Sequence, residues 1–171
     1  MEKTSLSKTD KKELVNMIKI LFVCHGNICR SPMAEFILKN LVDEKGLSDE
    51  FEIASAATSR EEIGNDMHPG AKRKLKQQGI PFCRRGARQI TDEDYQYYDY
   101  IIAMERLNLT NLRRVIGEDK ENKVRLLLSF ANSGADIADP WYTGNFDEAY
   151  DDIMKGCTAL FNFLLAKMGK K

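Results

Sequence analysis

Hydrophobic positions along the 171 residues follow two rhythms. Four short runs read as strands, 18–23, 51–55, 100–104 and 124–128, the first of them apolar and β-branched. In Ile18 to Val23 only Lys19 interrupts, as expected of a strand covered on both faces. Phe51-Glu52-Ile53-Ala54-Ser55 alternates, as a strand does. Between these runs the apolar residues recur at helical spacing. Residues 31–45 carry Met33, Ala34, Ile37, Leu38, Leu41 and Val42, with Gly46 as a C-cap. A short helix over 71–78 ends at Gly79-Ile80-Pro81, and another opens at Thr91-Asp92-Glu93-Asp94, a cap followed by first-turn acids. A helix over 107–116 closes at Gly117. In the last segment Phe146, Ala149, Tyr150, Ile153, Cys157, Leu160, Phe161, Leu164 and Leu165 share one face of a long amphipathic helix. Residues 56–70 and 131–145 read as loops. Strands alternating with helices, without internal repeats, predict an α/β fold of βαβ units with a parallel sheet and helices on both faces.

Composition narrows the function. Lys plus Arg and Asp plus Glu are both 26, and a balanced charge argues against nucleic acid or an anionic membrane surface as the main partner. No apolar run reaches the ~20 residues of a membrane span and the N-terminus is not signal-like, which predicts a cytoplasmic protein. Met1 to Asn16 is polar apart from Leu6, Leu14 and Val15, and reads as a disordered or loosely attached arm ahead of a single domain over 17–171. Met17 is an alternative start. Four scattered cysteines do not make a disulfide framework, and Cys24 and Cys29 lack a second Cys/His pair at zinc spacing, so no metal is expected. From Ala71 to Thr91 there are seven basic residues and no acidic one. That is a solvated helix face and loop, or a patch for a phosphorylated partner.

The stretch Ile20 to Pro32 carries the chemistry. A buried strand, a tight loop and the first turn of a helix aim backbone N–H groups at one point, which makes an anion site. Cys24 sits there with Arg30 six positions on, and the helix dipole and the guanidinium both favour a thiolate. Arg30 can grip an oxyanion bidentately. Gly26 allows close backbone approach, Ser31 is placed to hydrogen-bond the sulfur, and Pro32 suits the first helical position. A nucleophile in an oxyanion cradle suits phosphoryl transfer, which also needs an acid for the leaving oxygen. Asp139 is the best candidate, in a loop where Trp141 and Tyr142 can wall a pocket. Ligands of parallel sheets bind beyond the C-terminal strand ends, where Cys24 follows Val23.

Val23-Cys24-His25-Gly26-Asn27-Ile28-Cys29-Arg30-Ser31-Pro32-Met33-Ala34-Glu35 resembles the signature of the low-molecular-weight protein tyrosine phosphatases. The resemblance continues through Ser55-Ala56-Ala57-Thr58-Ser59, Ile63-Gly64-Asn65, Gly79-Ile80-Pro81, Ala87-Arg88-Gln89-Ile90-Thr91, Asp99 to Met104 and Asp139-Pro140-Trp141-Tyr142. It implies a three-layer sandwich around a four-stranded parallel twisted sheet, and metal-independent hydrolysis of phosphotyrosine in proteins with no cofactor. By the same resemblance Cys24 forms a cysteinyl-phosphate, Asp139 is acid and then base, and Arg30 with the amides from His25 to Arg30 holds the phosphoryl oxygens. Asn27, left-handed, and Ser55 brace the loop, and Cys29 is the partner for a reversible disulfide with Cys24. A monomer or weak homodimer is expected.

Three positions depart from the family pattern. His25 replaces an apolar residue, Glu61 stands where an aromatic often stacks on the substrate ring, and Arg85 replaces a histidine of the bracing network. Competing readings are a protein-arginine phosphatase, which carries Thr where Ile28 stands here, and a similar-fold arsenate reductase, whose two extra cysteines are absent from Asp94 to Met104. A catalytically silent phosphate-binding module is the reading from a different class.

Overall fold

β1 (Ile18–Cys24) is the strand around which the sheet is assembled. The computed structural model describes residues 7, 8 and 17–170, so the expectation of a loose arm over 1–16 falls outside the described residues except at Ser7 and Lys8. β1 pairs in parallel with β2 (Phe51–Ala57) on one side and β3 (Tyr100–Ala103) on the other, and β3 pairs in parallel with β4 (Val124–Leu126). The order is therefore β2-β1-β3-β4. The chain leaves β1 toward one neighbour and later returns to the other, so the end of β1 is the switch point where ligands of such sheets bind.

Both faces of β1 are covered, which is why its pattern is continuous rather than alternating. Ile20 and Phe22 are fully buried against α1 (Arg30–Glu44) and α6 (Phe146–Lys167), among Met33, Ile37, Leu160 and Leu164. Leu21 and Val23 are buried on the other face with Ile90, Tyr98 and Leu112, beside α3 (Asp92–Tyr97) and α4 (Arg106–Ile116). Each fully buried Leu or Ile contributes about 1.5–3 kcal/mol relative to exposure. Among the described residues no helix is long and apolar enough to cross a membrane.

The predicted elements are present, with shifted edges. α1 starts at Arg30, so Pro32 is third in the helix and not first. Its missing N–H is still harmless, because the first four N–H groups of a helix have no partner within it. α2 (Pro69–Gln77) begins before Ala71, capped by His68, and β2 runs two residues past Ser55. β4 stops at Leu126 and not at Leu128. Leu127 and Leu128 instead enter a 3-10 turn that buries both against α6. That approach requires Gly156, where a Cβ would stand 2.5 Å from Leu127 Cγ. The loop over 131–145 contains one short helix, α5 (Pro140–Thr143), with Asp139 as its N-cap.

Candidate active site

Cys24 ends β1, and the loop from His25 to Cys29 joins it to α1. Three carbonyls here are held by neighbouring segments: Thr58 N–H donates to Cys24 O at 2.9 Å, Ser59 N–H to His25 O at 3.1 Å and His68 N–H to Ile28 O at 2.9 Å. No hydrogen bond among the described residues uses the N–H groups of Gly26, Asn27, Ile28 or Cys29. They form a ring of uncommitted donors at a helix N-terminus, the arrangement that binds anions. Cys24 Sγ lies inside it, 3.1 Å from Ser31 Oγ and 3.4 Å from Ser31 N.

Asn27 makes the loop's turn at φ 58°. Its side chain is fully buried and four-fold bonded. Nδ2 donates to Ser31 Oγ at 2.8 Å and Ser55 Oγ at 2.9 Å, and Oδ1 accepts from the Arg85 guanidinium and from Arg88 N–H at 3.3 Å. The Ser55 hydroxyl donates to Glu35 Oε1 at 2.7 Å, and Lys39 Nζ pairs with Glu35 Oε2 at 2.6 Å. Asn27 is thus left-handed and tied to Ser55. Arg85 joins this network through its guanidinium, and its own N–H donates to Asp66 Oδ1 at 3.2 Å.

Arg30 is 1% exposed and lies behind the loop. Nη1 donates to Glu105 Oε2 at 2.8 Å and Ile137 O at 2.9 Å, and Nη2 donates to Asp139 Oδ2 at 3.2 Å. Nε is buried without a protein partner. Burial opposes the guanidinium charge, but Cys24, Asp139 and Glu105 outweigh it and hold the pKa above the usual arginine value. Asp139 is fixed twice over, since Oδ1 also accepts from Trp141 N–H at 3.0 Å. Cys29 is buried and remains a thiol. Burial first, then the charges of Cys24 and Asp139, push its pKa up to about 12. All four cysteines are free.

A cleft of about 90 Å³ opens above the loop, lined by Cys24, His25, Gly26, Ile28, Cys29, Arg30, Glu61, Glu62, Asp139, Trp141 and Tyr142. Its size suits a small anion rather than a larger group, and Trp141 and Tyr142 are exposed at its mouth. The two rim departures are one feature: His25 Nε2 and Glu61 Oε2 are 2.9 Å apart. Glu62, unnoticed in the sequence, lies over Gly26 and accepts from Asn65 Nδ2 at 2.7 Å. Glu105 was missed as well. Its only local signal is an acid two residues past β3, at the ligand end of the sheet, with Asn108 completing a capping box.

The sequence model of the family described as low molecular weight phosphotyrosine protein phosphatase matches residues 19–171. The chain belongs to this family. The family's members are phosphoric monoester hydrolases. The low molecular weight protein-tyrosine-phosphatase YfkJ of Bacillus subtilis is 42% identical over 146 residues, 84% of this chain and 94% of the relative. The human low molecular weight phosphotyrosine protein phosphatase is 39% identical over 145 residues, 82% of this chain and 91% of the relative. The crystal structure of YfkJ superposes with a TM-score of 0.85 at 40% identity, covering 88% of this phosphatase and 96% of that chain. The crystal structure of a Drosophila arginine phosphatase superposes with a TM-score of 0.78 at 32% identity, covering 86% and 98%.

Proposed function

We propose that the protein hydrolyses phosphotyrosine in protein substrates by a metal-independent, two-step route through Cys24. The observation that carries this reading is the convergence of Cys24 Sγ, Arg30 and Asp139 on one ring of free amides. In the first step the Cys24 thiolate attacks phosphorus and the P–O bond to the tyrosyl oxygen breaks. Asp139 gives its proton to the departing phenolate. In the second step Asp139 takes a proton from water, the water oxygen attacks phosphorus, and the S–P bond breaks to return the thiolate and inorganic phosphate.

Each neighbour has a part in this scheme. Ser31 donates to the sulfur in its thiolate form, and Arg30 Nε and Nη2 with the loop amides take up the equatorial oxygens. A phosphoryl oxygen competing for Nη2 releases Asp139 Oδ2 for the proton. Asn27, Ser55 and Arg85 hold the cradle in its left-handed turn. Trp141 and Tyr142 flank the substrate ring, and the apolar Ile28 at the cleft floor favours the flat, neutral tyrosyl leaving group over a phosphoguanidinium. A free thiolate nucleophile also suits a reducing compartment, in keeping with a cytoplasmic location.

The deciding experiment is turnover of p-nitrophenyl phosphate without added metal. Cys24→Ser abolishes it and Asp139→Asn slows it, whereas full activity in Cys24→Ser would remove the nucleophile. A Cys24→Ser trap that recovers phosphotyrosine proteins supports the substrate class. Recovery of phosphoarginine proteins alone would replace it.

A further inference from the structure

We propose that His68 is a positioning residue that fixes the acid loop against the nucleophile loop, and so governs proton transfer to the leaving group. The inference rests on Asp139 as the proton donor and adds what sets its place. Beside the direct Arg30–Asp139 pair, His68 touches both loops. Its backbone N–H holds Ile28 O at 2.9 Å, within the phosphate cradle. Its ring meets Trp141 edge-on, with centroids 5.7 Å apart and planes at 84°, and stacks on Phe146 at 5.1 Å and 23°. Trp141 follows Asp139 by two residues and gives it the N–H that fixes Oδ1. Phe146 begins α6 just past the acid loop, and packs on Ile28, Cys29 and Ala87. The imidazole is therefore a wedge between the two halves of the site, in contact with Trp141 and Phe146, which both follow Asp139 in the chain.

The wedge has a defined orientation. Nδ1 accepts from Gly70 N–H at 2.9 Å, which caps α2 and fixes one edge of the ring that stacks on Phe146. Gly70 admits this stack: a Cβ there would lie 2.4–2.8 Å from three Phe146 ring atoms, so any larger residue displaces the ring. A residue that only capped the helix would not need an aromatic ring between two others. Asp or Asn would serve as well.

The ring's role is isolated by substitutions that separate cap from wedge. His68→Asn keeps an acceptor for Gly70 N–H and removes the ring. His68→Phe keeps the ring and removes the acceptor. General acid catalysis is worth 10²–10⁴-fold and is sensitive to placement, so His68→Asn is expected to lower kcat/KM for phenyl phosphate by about tenfold. For p-nitrophenyl phosphate, whose leaving group needs less protonation, the loss is several-fold smaller. His68→Phe restores most of the difference between the two substrates. Gly70→Ala, with His68 intact, reproduces it by displacing Phe146. Melting temperatures of all variants identify any that are merely unfolded. An equal loss for both substrates, no loss in His68→Asn, or no recovery in His68→Phe would overturn the wedge. If the wild-type protein turned over neither aryl phosphate, the phosphatase reading itself would fail, a result distinct from any of these.

Discussion

Replacing Arg85 tests whether the cradle is held in shape from behind. Arg85→Ala removes the charged donor to Asn27 Oδ1 and leaves only Arg88 N–H at 3.3 Å. A hydrogen bond from a charged group is worth about 1.5–3 kcal/mol, and half-burial of Arg85 places this one at the lower end. Asn27 also bears the strain of a left-handed turn, about 1–2 kcal/mol for a residue with a Cβ, which its four bonds offset. Losing the strongest of them is expected to cost about 1.5 kcal/mol, or roughly 3–6 °C in Tm for a chain of this size. Where the loss appears as loops out of register rather than as unfolding, the competent fraction falls about tenfold. Substrate and product share the cradle, so both are affected alike: kcat/KM for p-nitrophenyl phosphate falls and the inhibition constant of inorganic phosphate rises by the same factor. Arg85→His, which supplies a shorter donor, recovers part of both. The assay is steady-state kinetics with phosphate as competitive inhibitor, alongside thermal melts. A folded Arg85→Ala with unchanged phosphate inhibition would refute the reasoning, as would a loss of kcat/KM without a matching loss of phosphate affinity.

Three further outcomes follow from the same geometry. Glu105→Ala leaves Arg30 Nη1 with Ile137 O alone and should cost about 2–3 kcal/mol in urea unfolding with at least a tenfold fall in kcat/KM, whereas Glu105→Gln keeps the hydrogen bond and loses less. Cys29, with its pKa pushed up to about 12, is a thiol at neutral and mildly alkaline pH. Iodoacetamide at pH 8 should therefore label Cys83 and Cys24 ahead of it by mass spectrometry, with inorganic phosphate protecting Cys24. Glu61 and Glu62 place two carboxylates at the mouth of an anion site, so phosphotyrosine peptides with Lys or Arg flanks should show several-fold higher kcat/KM than those with Asp or Glu flanks at low salt. The double replacement Glu61→Gln, Glu62→Gln should erase that preference, and so should high salt.

What the sequence disclosed and what it hid divide along contact distance. Cys24, Arg30 and Ser31 are legible because the chemistry is local: a strand end, a loop and a helix start within eight residues. The long helix over 146–167 is legible because its apolar face repeats over six turns. Asp139 was reachable because Asp-Pro followed by two aromatics is a recognisable loop signal. The remaining partners come from strand order, which periodicity does not reveal. Arg30 meets Glu105 across 75 positions because β3 lies beside β1, and Arg85 meets Asn27 across 58. His25 and Glu61 each stood out alone, but their contact depends on where the segment after β2 crosses the nucleophile loop. The early end of β4 has the same origin: Leu127 and Leu128 continue the apolar run of Val124, and their burial against α6 is a tertiary contact the run does not reveal.

Strand order also explains why so few residues act chemically while so many hold. With β1 central, the segments leaving β1, β2 and β3 emerge at one edge of the sheet, and each contributes an anchor. Thr58 and Ser59 after β2 hold the carbonyls of Cys24 and His25, Glu105 after β3 holds Arg30, and His68 holds Ile28. These anchors engage the carbonyls and leave the loop amides uncommitted, so the cradle is made by what its neighbours hold. Two kinds of variant should then leave different signatures. Loss of an anchor reduces the fraction of cradles in register and changes phosphate affinity and kcat/KM together. Loss of Asp139 leaves the amide ring intact, so phosphate binding survives while proton transfer fails.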